Sequence, residues 1–503
     1  MPQRRRRSVG RILGLVALVS VGGLVLLVGG AAAIAFVVLG PKDTVGQVAF
    51  DNELAIPPLA DSTVDEQGRR VFELTAQEGE TSFGGGTEST WGFNGPYLGP
   101  TLRAQRGEQV LVHVRNELDE ATTVHWHGMQ LPAEMDGGPH QPIAPGGTWS
   151  PTWTVDQPAA TLWYHPHLHG RTREHVERGL AGMFILDDPA EERLGLPSSY
   201  GVDDLPAIVG ERDGEILVNG TVGPYAEVRT ALVRLRLLNA SSARVFRFTL
   251  DDGSPLVQIA SDGGLLPEPH ETTGVRLAPG ERAEVLVRME PGETRVLRSE
   301  DPDLGLNGFA ERFQGGQDRF DVLQLRAAGQ LEASNPVPGQ LAPHNPDHAG
   351  DEADATVERE FLMAGRQING ETMRMDHVNE VVELGATEVW EVSSAGGEPH
   401  SFHVHDVQFR VLSVNGRRPG PELSGLKDTI YLEEDTTYQI LLTFRDHADP
   451  TTPYMYHCHQ LEHEDQGMMG QFVVVEPGDR PRLDTTGWDD HEVGPGRDGH
   501  SGH

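Results

Sequence analysis

Cys458 is the only cysteine in a chain of 503 residues, and it stands between His457 and His459 in the stretch "YMYHCHQLEHEDQGMM" (454–469). His463 follows five positions later and Met468 ten positions later. The 22 histidines fall unevenly: four stretches hold a His-x-His pair, "HWHG" (125–128), "HPHLHG" (165–170), "HVH" (403–405) and "HCH" (457–459). On an extended strand residues i and i+2 face the same side, so each pair can aim two imidazoles at one point. Neutral imidazole suits copper, zinc, iron or nickel. The pairs supply His125, His127, His165, His167, His403, His405, His457 and His459. That is too many donors for one ion and suits a cluster of two or three. No Asp or Glu recurs at the same offsets, which argues against Mg²⁺ and Ca²⁺.

His400, Cys458, His463 and Met468 remain. Two imidazoles, a thiolate and a weak axial thioether define a blue-copper electron-transfer site. A strand alternates faces, so if His457 and His459 point to the cluster, Cys458 points the other way. One strand then wires two metal sites together. The same reasoning applies at 400–405, where His400 serves one site and His403 and His405 the other.

Short alternating runs must position these residues: "EQVLVHVRNEL" (108–118), "ALVRLRLLNAS" (231–241), "RAEVLVRME" (282–290), "TEVWEVSS" (387–394) and "YQILLTF" (438–444). Each is bounded by Gly, Pro, Asn or Asp, the mark of half-buried strands in β-sandwiches. "TREHVERGLAGMF" (172–184) reads as a short helix followed by a strand. A loose repeat places a turn and then a strand at 103–118, 228–241 and 381–394, which predicts duplicated sandwich units. The length fits about three domains of ~150 residues, and 60 Gly, 35 Pro and 6% aromatics suit an all-β chain. The expected layout is domain 1 over 46–190, domain 2 over 200–331 and domain 3 over 358–478. A Pro-rich acidic linker over 332–357 and a disordered tail over 479–503 complete it. Two His pairs lie in the first third and two in the last, so the cluster is expected between domains 1 and 3.

The chain has 76 acidic and 40 basic residues, a net charge of −36, a surface that repels nucleic acid and gathers cations. A single cysteine excludes an internal disulfide. The first eleven residues, "MPQRRRRSVGR", form a basic segment, and residues 12–40 then carry no charge. That run is long enough for a transmembrane helix. The arginines before it predict a cytoplasmic N-terminus, with the catalytic domains on the extracytoplasmic side of the membrane. Small residues in "GGAAAIA" leave open the alternative of export after signal cleavage.

The four histidine stretches, with "PHSFHVH" (399–405), resemble the signature of the multicopper oxidases. The resemblance spans about residues 50–478. It includes the histidine-poor middle, where "LRLLNASSARVFRF" and "IASDGGLLPEP" look like that family's second domain, and it is closest to the bacterial three-domain laccase-like and copper-efflux oxidases. It implies three cupredoxin-like Greek-key β-sandwich domains and four copper ions. His400, Cys458, His463 and Met468 would hold type 1 copper, and His125 and His403 type 2. His127, His165, His167, His405, His457 and His459 would hold the type 3 pair. The implied reaction couples one-electron oxidations of a small reductant to four-electron reduction of O₂ to water, in a chain expected to act as a monomer. Asp136 and Glu464 match acidic residues that deliver protons to the cluster. Asp428, in "GLKDTI", matches a residue that helps bind substrate near type 1 copper. His169 would be an outer partner rather than a ligand, and Trp126 and Trp163 packing residues. Efflux oxidases often carry a methionine-rich segment. Here Met373, Met375 and Asp376 are the nearest counterpart, so phenols, Cu(I) and other metal ions all stand as candidate donors. A copper store or a non-catalytic cupredoxin scaffold is the alternative from another class.

Overall fold

The computed structural model describes residues 40–342 and 350–483. The basic segment, all but the last residue of the predicted span, residues 343–349 of the linker and the tail from 484 lie outside the described residues. No helix among the described residues is long and apolar enough to cross a membrane.

Three two-sheet β-sandwiches follow one another, each closed around its own apolar core. The repeat seen in the sequence is a repeat of topology. Gln109–Asn116 runs parallel to Arg70–Ser82, Leu232–Asn239 parallel to Asp204–Arg212, and Thr387–Ala395 parallel to Val357–Ala364. In the opposite sheets Leu102–Gln105, Pro224–Thr230 and Glu380–Glu383 each pair in parallel with a later strand. Alternation along Gln109–Asn116 explains its placement: Val110, Val112 and Val114 are fully buried while Gln109 and Arg115 face solvent.

Three expectations change. Leu232–Asn239 is buried on both faces rather than half-buried. Its apolar face, Val233, Leu235 and Leu237, fills the second core. Its charged face meets domain 1: Arg236, paired with Asp204 and Glu284 of its own domain, donates to the Thr161 hydroxyl. Secondly, the chain before residue 57 does not join domain 1. Asn52–Glu53 adds a parallel strand to the second sandwich beside Pro224–Thr230, and Leu54 is buried in that core. Thirdly, the linker does bury something: Leu341 packs beside Leu196 and Val257, and its amide donates to the Pro267 carbonyl.

Domains 1 and 3 touch directly. Ala133, in a turn of domain 1, is part of the third core, and the Tyr454 hydroxyl donates to the Leu131 carbonyl. That contact sets the histidine strands of the two domains against each other.

Candidate metal centre

Four strands carry the ligand candidates. His125–His127 pairs antiparallel with Ala160–His165, placing His125 opposite His165 and His127 opposite Trp163. His400–Val404 pairs antiparallel with Asp449–Cys458, placing His403 opposite His457 and Phe402 opposite Cys458. His167 lies beyond its strand, and His459 is held by its amide donating to the Ser401 carbonyl.

All eight paired histidines are buried and converge between domains 1 and 3. Their donor atoms form three groups within 4.8 Å: His125 with His127 and His403, His127 with His165 and His459, and His167 with His405 and His457. The pairs therefore do not each aim at one point. His165 and His167 fall in different groups, as do His403 and His405, and His457 and His459. Rings two residues apart sit 5.0–6.4 Å from each other, enough to reach neighbouring positions.

Burial first, and then crowding by other imidazoles, pushes His127, His165, His167, His403 and His459 well below the usual histidine range, and burial and His405 do the same to His457. His405 falls to about 4 through burial and His125, against the pull of Asp136. These seven rings are therefore neutral at pH 7. Several cluster nitrogens are also unsatisfied: Nε2 of His125, Nε2 of His403 and both nitrogens of His459 have no hydrogen-bond partner. Orphaned polar atoms at such depth are costly, and borderline metal ions satisfy them.

The second site lies on the other side of the His457–His459 backbone. Cys458 Sγ is 3.6 Å from Nδ1 of His400 and 3.6 Å from Nδ1 of His463, and those two nitrogens are 3.2 Å apart. One ion in a trigonal plane, with bonds of about 2.0–2.3 Å to N and S, sets its donors about 3.5–3.8 Å apart. The triad fits a single metal of the His₂Cys type. Met468 is buried in the same core, and its amide donates to the His463 carbonyl while its carbonyl accepts from the Cys458 amide. Burial pushes the thiol up to about 12, so an incoming cation must displace its proton.

Two carboxylates border the eight-histidine cluster on separate sides. Asp136 Oδ2 accepts from His405 Nδ1 at 2.7 Å, and its Oδ1 lies 3.4 Å from His125 Nδ1. Burial opposes its charge, but His405 and His125 outweigh it and hold this carboxyl well below its ordinary value. Glu464 approaches Nδ1 of His167 and of His457 at 3.5 and 3.4 Å, and neither of its oxygens has a hydrogen-bond partner. Burial and the neighbouring Asp465 push it well above the usual carboxylate range.

Asp428 is not where the sequence comparison puts it. It is fully buried behind the cluster, 3.0 Å from His127 Nε2 and paired with Arg282, so it cannot meet a substrate at the Cys458 site. Lys427 and Thr429 beside it are buried as well, and Asp262, Glu281 and Arg282 of domain 2 cover all three. Trp163 packs by stacking its ring on His165 at 4.0 Å, and Trp126 sits among Trp149 and Trp153. His169 is half-buried outside all the donor groups. Gly280 was also missed: at φ +84° it brings the backbone so near His459 that an added Cβ would lie 2.9 Å from the ring. The turn motif "APGER" was its only signal.

The sandwiches and the two histidine centres define a copper-protein architecture, and comparison with known proteins agrees. Two family models described as "Multicopper oxidase" match residues 75–191 and 341–478. The multicopper oxidase mco of Staphylococcus epidermidis is 34% identical over 84% of this chain and 93% of its own. The cell division protein FtsP of Xenorhabdus nematophila is likewise 34% identical, over 85% and 93%. A solved bacterial laccase-like multicopper oxidase, CueO from Ochrobactrum sp., superposes with a TM-score of 0.75 at 36% identity, over 84% of this chain and 100% of its own. The chain belongs to the multicopper oxidase family.

Proposed function

We propose that this protein is an active oxidase. It draws electrons singly from a small reductant at the Cys458 site and uses them to reduce O₂ to water at the eight-histidine cluster. His400, Cys458, His463 and Met468 would hold the type 1 copper. His125 and His403 would hold type 2, and the remaining six cluster histidines the type 3 pair, four ions in all. When bound, copper supplies the one-electron redox chemistry and the affinity for O₂. The observation that carries the reading is the shared strand: Cys458 belongs to one metal site and its two covalent neighbours to the other. A store or carrier has no use for that bond path.

The chain's own residues divide the remaining work. His463 keeps 7% of its surface exposed while the other ligands keep 0–1%, so the donor's electron enters at its ring. Beside it Arg366 pairs with Glu398 and donates to the Gln466 side chain, and these groups, not Asp428, form the polar rim a donor meets. Asp136 holds a negative charge beside His405 and His125. Glu464, in which burial favours the protonated form, stands beside His167 and His457, placed to supply a proton when O₂ becomes water.

The donor is a phenol-like molecule, Cu(I) or another metal ion. The laccase-like relative from Ochrobactrum is described as oxidising lignin model compounds, which favours the phenolic class, while the net charge of −36 favours cations. The domains are assigned to the extracytoplasmic side, tethered by residues 12–40 or released by cleavage there. A non-catalytic scaffold is the second reading, because relatives named cell division protein FtsP match as well as the oxidases do. Oxygen consumption by the copper-loaded protein with Cu(I), Fe(II), Mn(II) and a phenol in parallel separates the two. Turnover with any donor supports the oxidase, and none with any donor at full copper content leaves the scaffold.

A further inference from the structure

Domain 2 supplies none of the histidines in the donor groups, yet its Arg282 reaches the cluster. The side chain is fully buried, and each of its five N–H bonds has its own acceptor. Nε donates to the Thr161 carbonyl at 2.9 Å. Nη1 donates to the Gly280 carbonyl at 3.0 Å and Asp428 Oδ1 at 2.7 Å. Nη2 donates to the Asp262 carbonyl at 3.0 Å and Asp428 Oδ2 at 2.6 Å. One guanidinium thus ties domain 1, domain 2 and domain 3 together and grips both oxygens of Asp428.

Asp428 passes that constraint to one ligand. Its Oδ1 accepts from Thr429 Oγ1 at 2.9 Å and lies 3.0 Å from His127 Nε2. Since the Thr429 hydroxyl donates to Asp428, it acts as an acceptor toward His127 Nε2, also 3.0 Å away. A carboxylate only accepts, so both contacts require the hydrogen of His127 on Nε2. The lone pair is then on Nδ1, the atom 3.4 Å from His165 Nε2 and on the cluster side. Its neighbours are held the opposite way round: His125 and His403 give Nδ1 to the carbonyls of Asp136 and Asp428, and His405 gives Nδ1 to the Asp136 carboxylate. His127 needs a distinct anchor, and a carbonyl at the Nδ1 side would spoil it.

We propose that Arg282 is a positioning residue: by clamping Asp428 it selects the ring nitrogen that His127 presents to the metal cluster. The domain without ligands thereby determines the geometry of one of them. This rests on the copper reading above. Outer partners of this kind orient and tune metal-bound imidazoles.

Arg282→Met alone would strand a buried carboxylate, so the test pairs it with Arg282→Met/Asp428→Leu. That variant removes both charges, and buried ion pairs tolerate such replacement. In the double variant the blue absorption of the Cys458 site should remain, while copper affinity at the cluster weakens about 10–100-fold. A merely structural role would move both sites together. Cluster affinity within twofold of wild type, or equal loss at both sites, overturns the proposal. Should the double variant not fold, neutron diffraction on the wild-type protein reads the ring directly: a hydrogen on His127 Nε2 is expected, and one on Nδ1 overturns it. A wild-type cluster that takes up no copper would instead sink the copper reading, and the position of the His127 hydrogen would still be decided separately.

Discussion

Asp136→Asn isolates the proton chemistry from the metal chemistry. Asp136 is 1% exposed, and its carboxylate contacts His405 and His125 from a side of the cluster that Glu464 does not share. Asparagine has nearly the same shape and can keep one oxygen against His405 Nδ1, so the ring stays oriented. What it cannot do is carry a negative charge or exchange a proton at neutral pH. Losing the charged half of a buried hydrogen bond costs about 1.5–3 kcal/mol of stability, which a domain of this size survives. Losing a positioned acid–base group costs about 10²–10⁴ in rate, or roughly 2.7–5.4 kcal/mol in barrier. The expected outcome is full copper content, unchanged blue absorption and a rate of O₂ consumption lower by at least about a hundredfold. Copper assay, absorption spectrum and oxygen electrode on one preparation measure all three. Turnover within a few-fold of wild type at full copper loading would refute the assignment, and loss of copper from the cluster would show that Asp136 orients ligands rather than moves protons.

Cys458→Ser should abolish the blue absorption and turnover while the eight-histidine cluster still loads, since Cys458 belongs to only one donor group; copper counting with optical spectra checks it. Gly280→Ala must adopt φ +84° and press a Cβ on the His459 ring, so we expect about 1–3 kcal/mol of lost stability and weakened copper at the His127–His165–His459 group, seen in thermal unfolding and copper content. In the copper-free protein, His405 titrates near 4 when folded and near 6.5 when unfolded, so the unfolded chain binds more protons between those values. Stability is therefore full above pH 6.5 and falls as pH drops toward 4, by up to about 1.4 kcal/mol per pH unit for each such histidine. Urea midpoints that stay flat between pH 7 and pH 5 would contradict this.

The alternating faces at 457–459 and 400–405 were legible because side-chain direction on a strand depends only on the local backbone. The threefold strand repeat was legible for the same reason. Leu232–Asn239 shows where that logic stops: its pattern of Arg and Leu is that of a half-exposed strand, and only the docking of domain 1 makes Arg234 and Arg236 interior residues. Asp428 shows it more sharply. The resemblance places it beside type 1 copper, but burial against Arg282, 146 residues away, makes it a partner of His127.

Ligand types, their division into a cluster and a thiolate site, and the bond path between them were all determined by the sequence. These depend on spacing of one to ten residues along extended chain. Which histidine joins which group was decided only by tertiary structure. His167 meets His457 across 290 residues, and that distance is closed by the register of two strands in each of two domains and by the contact of Ala133 with the third core. The tautomer of His127 and the place of residues 52–54 in the second sandwich belong to the same class. Each depends on packing between segments whose separation in sequence carries no periodic signal.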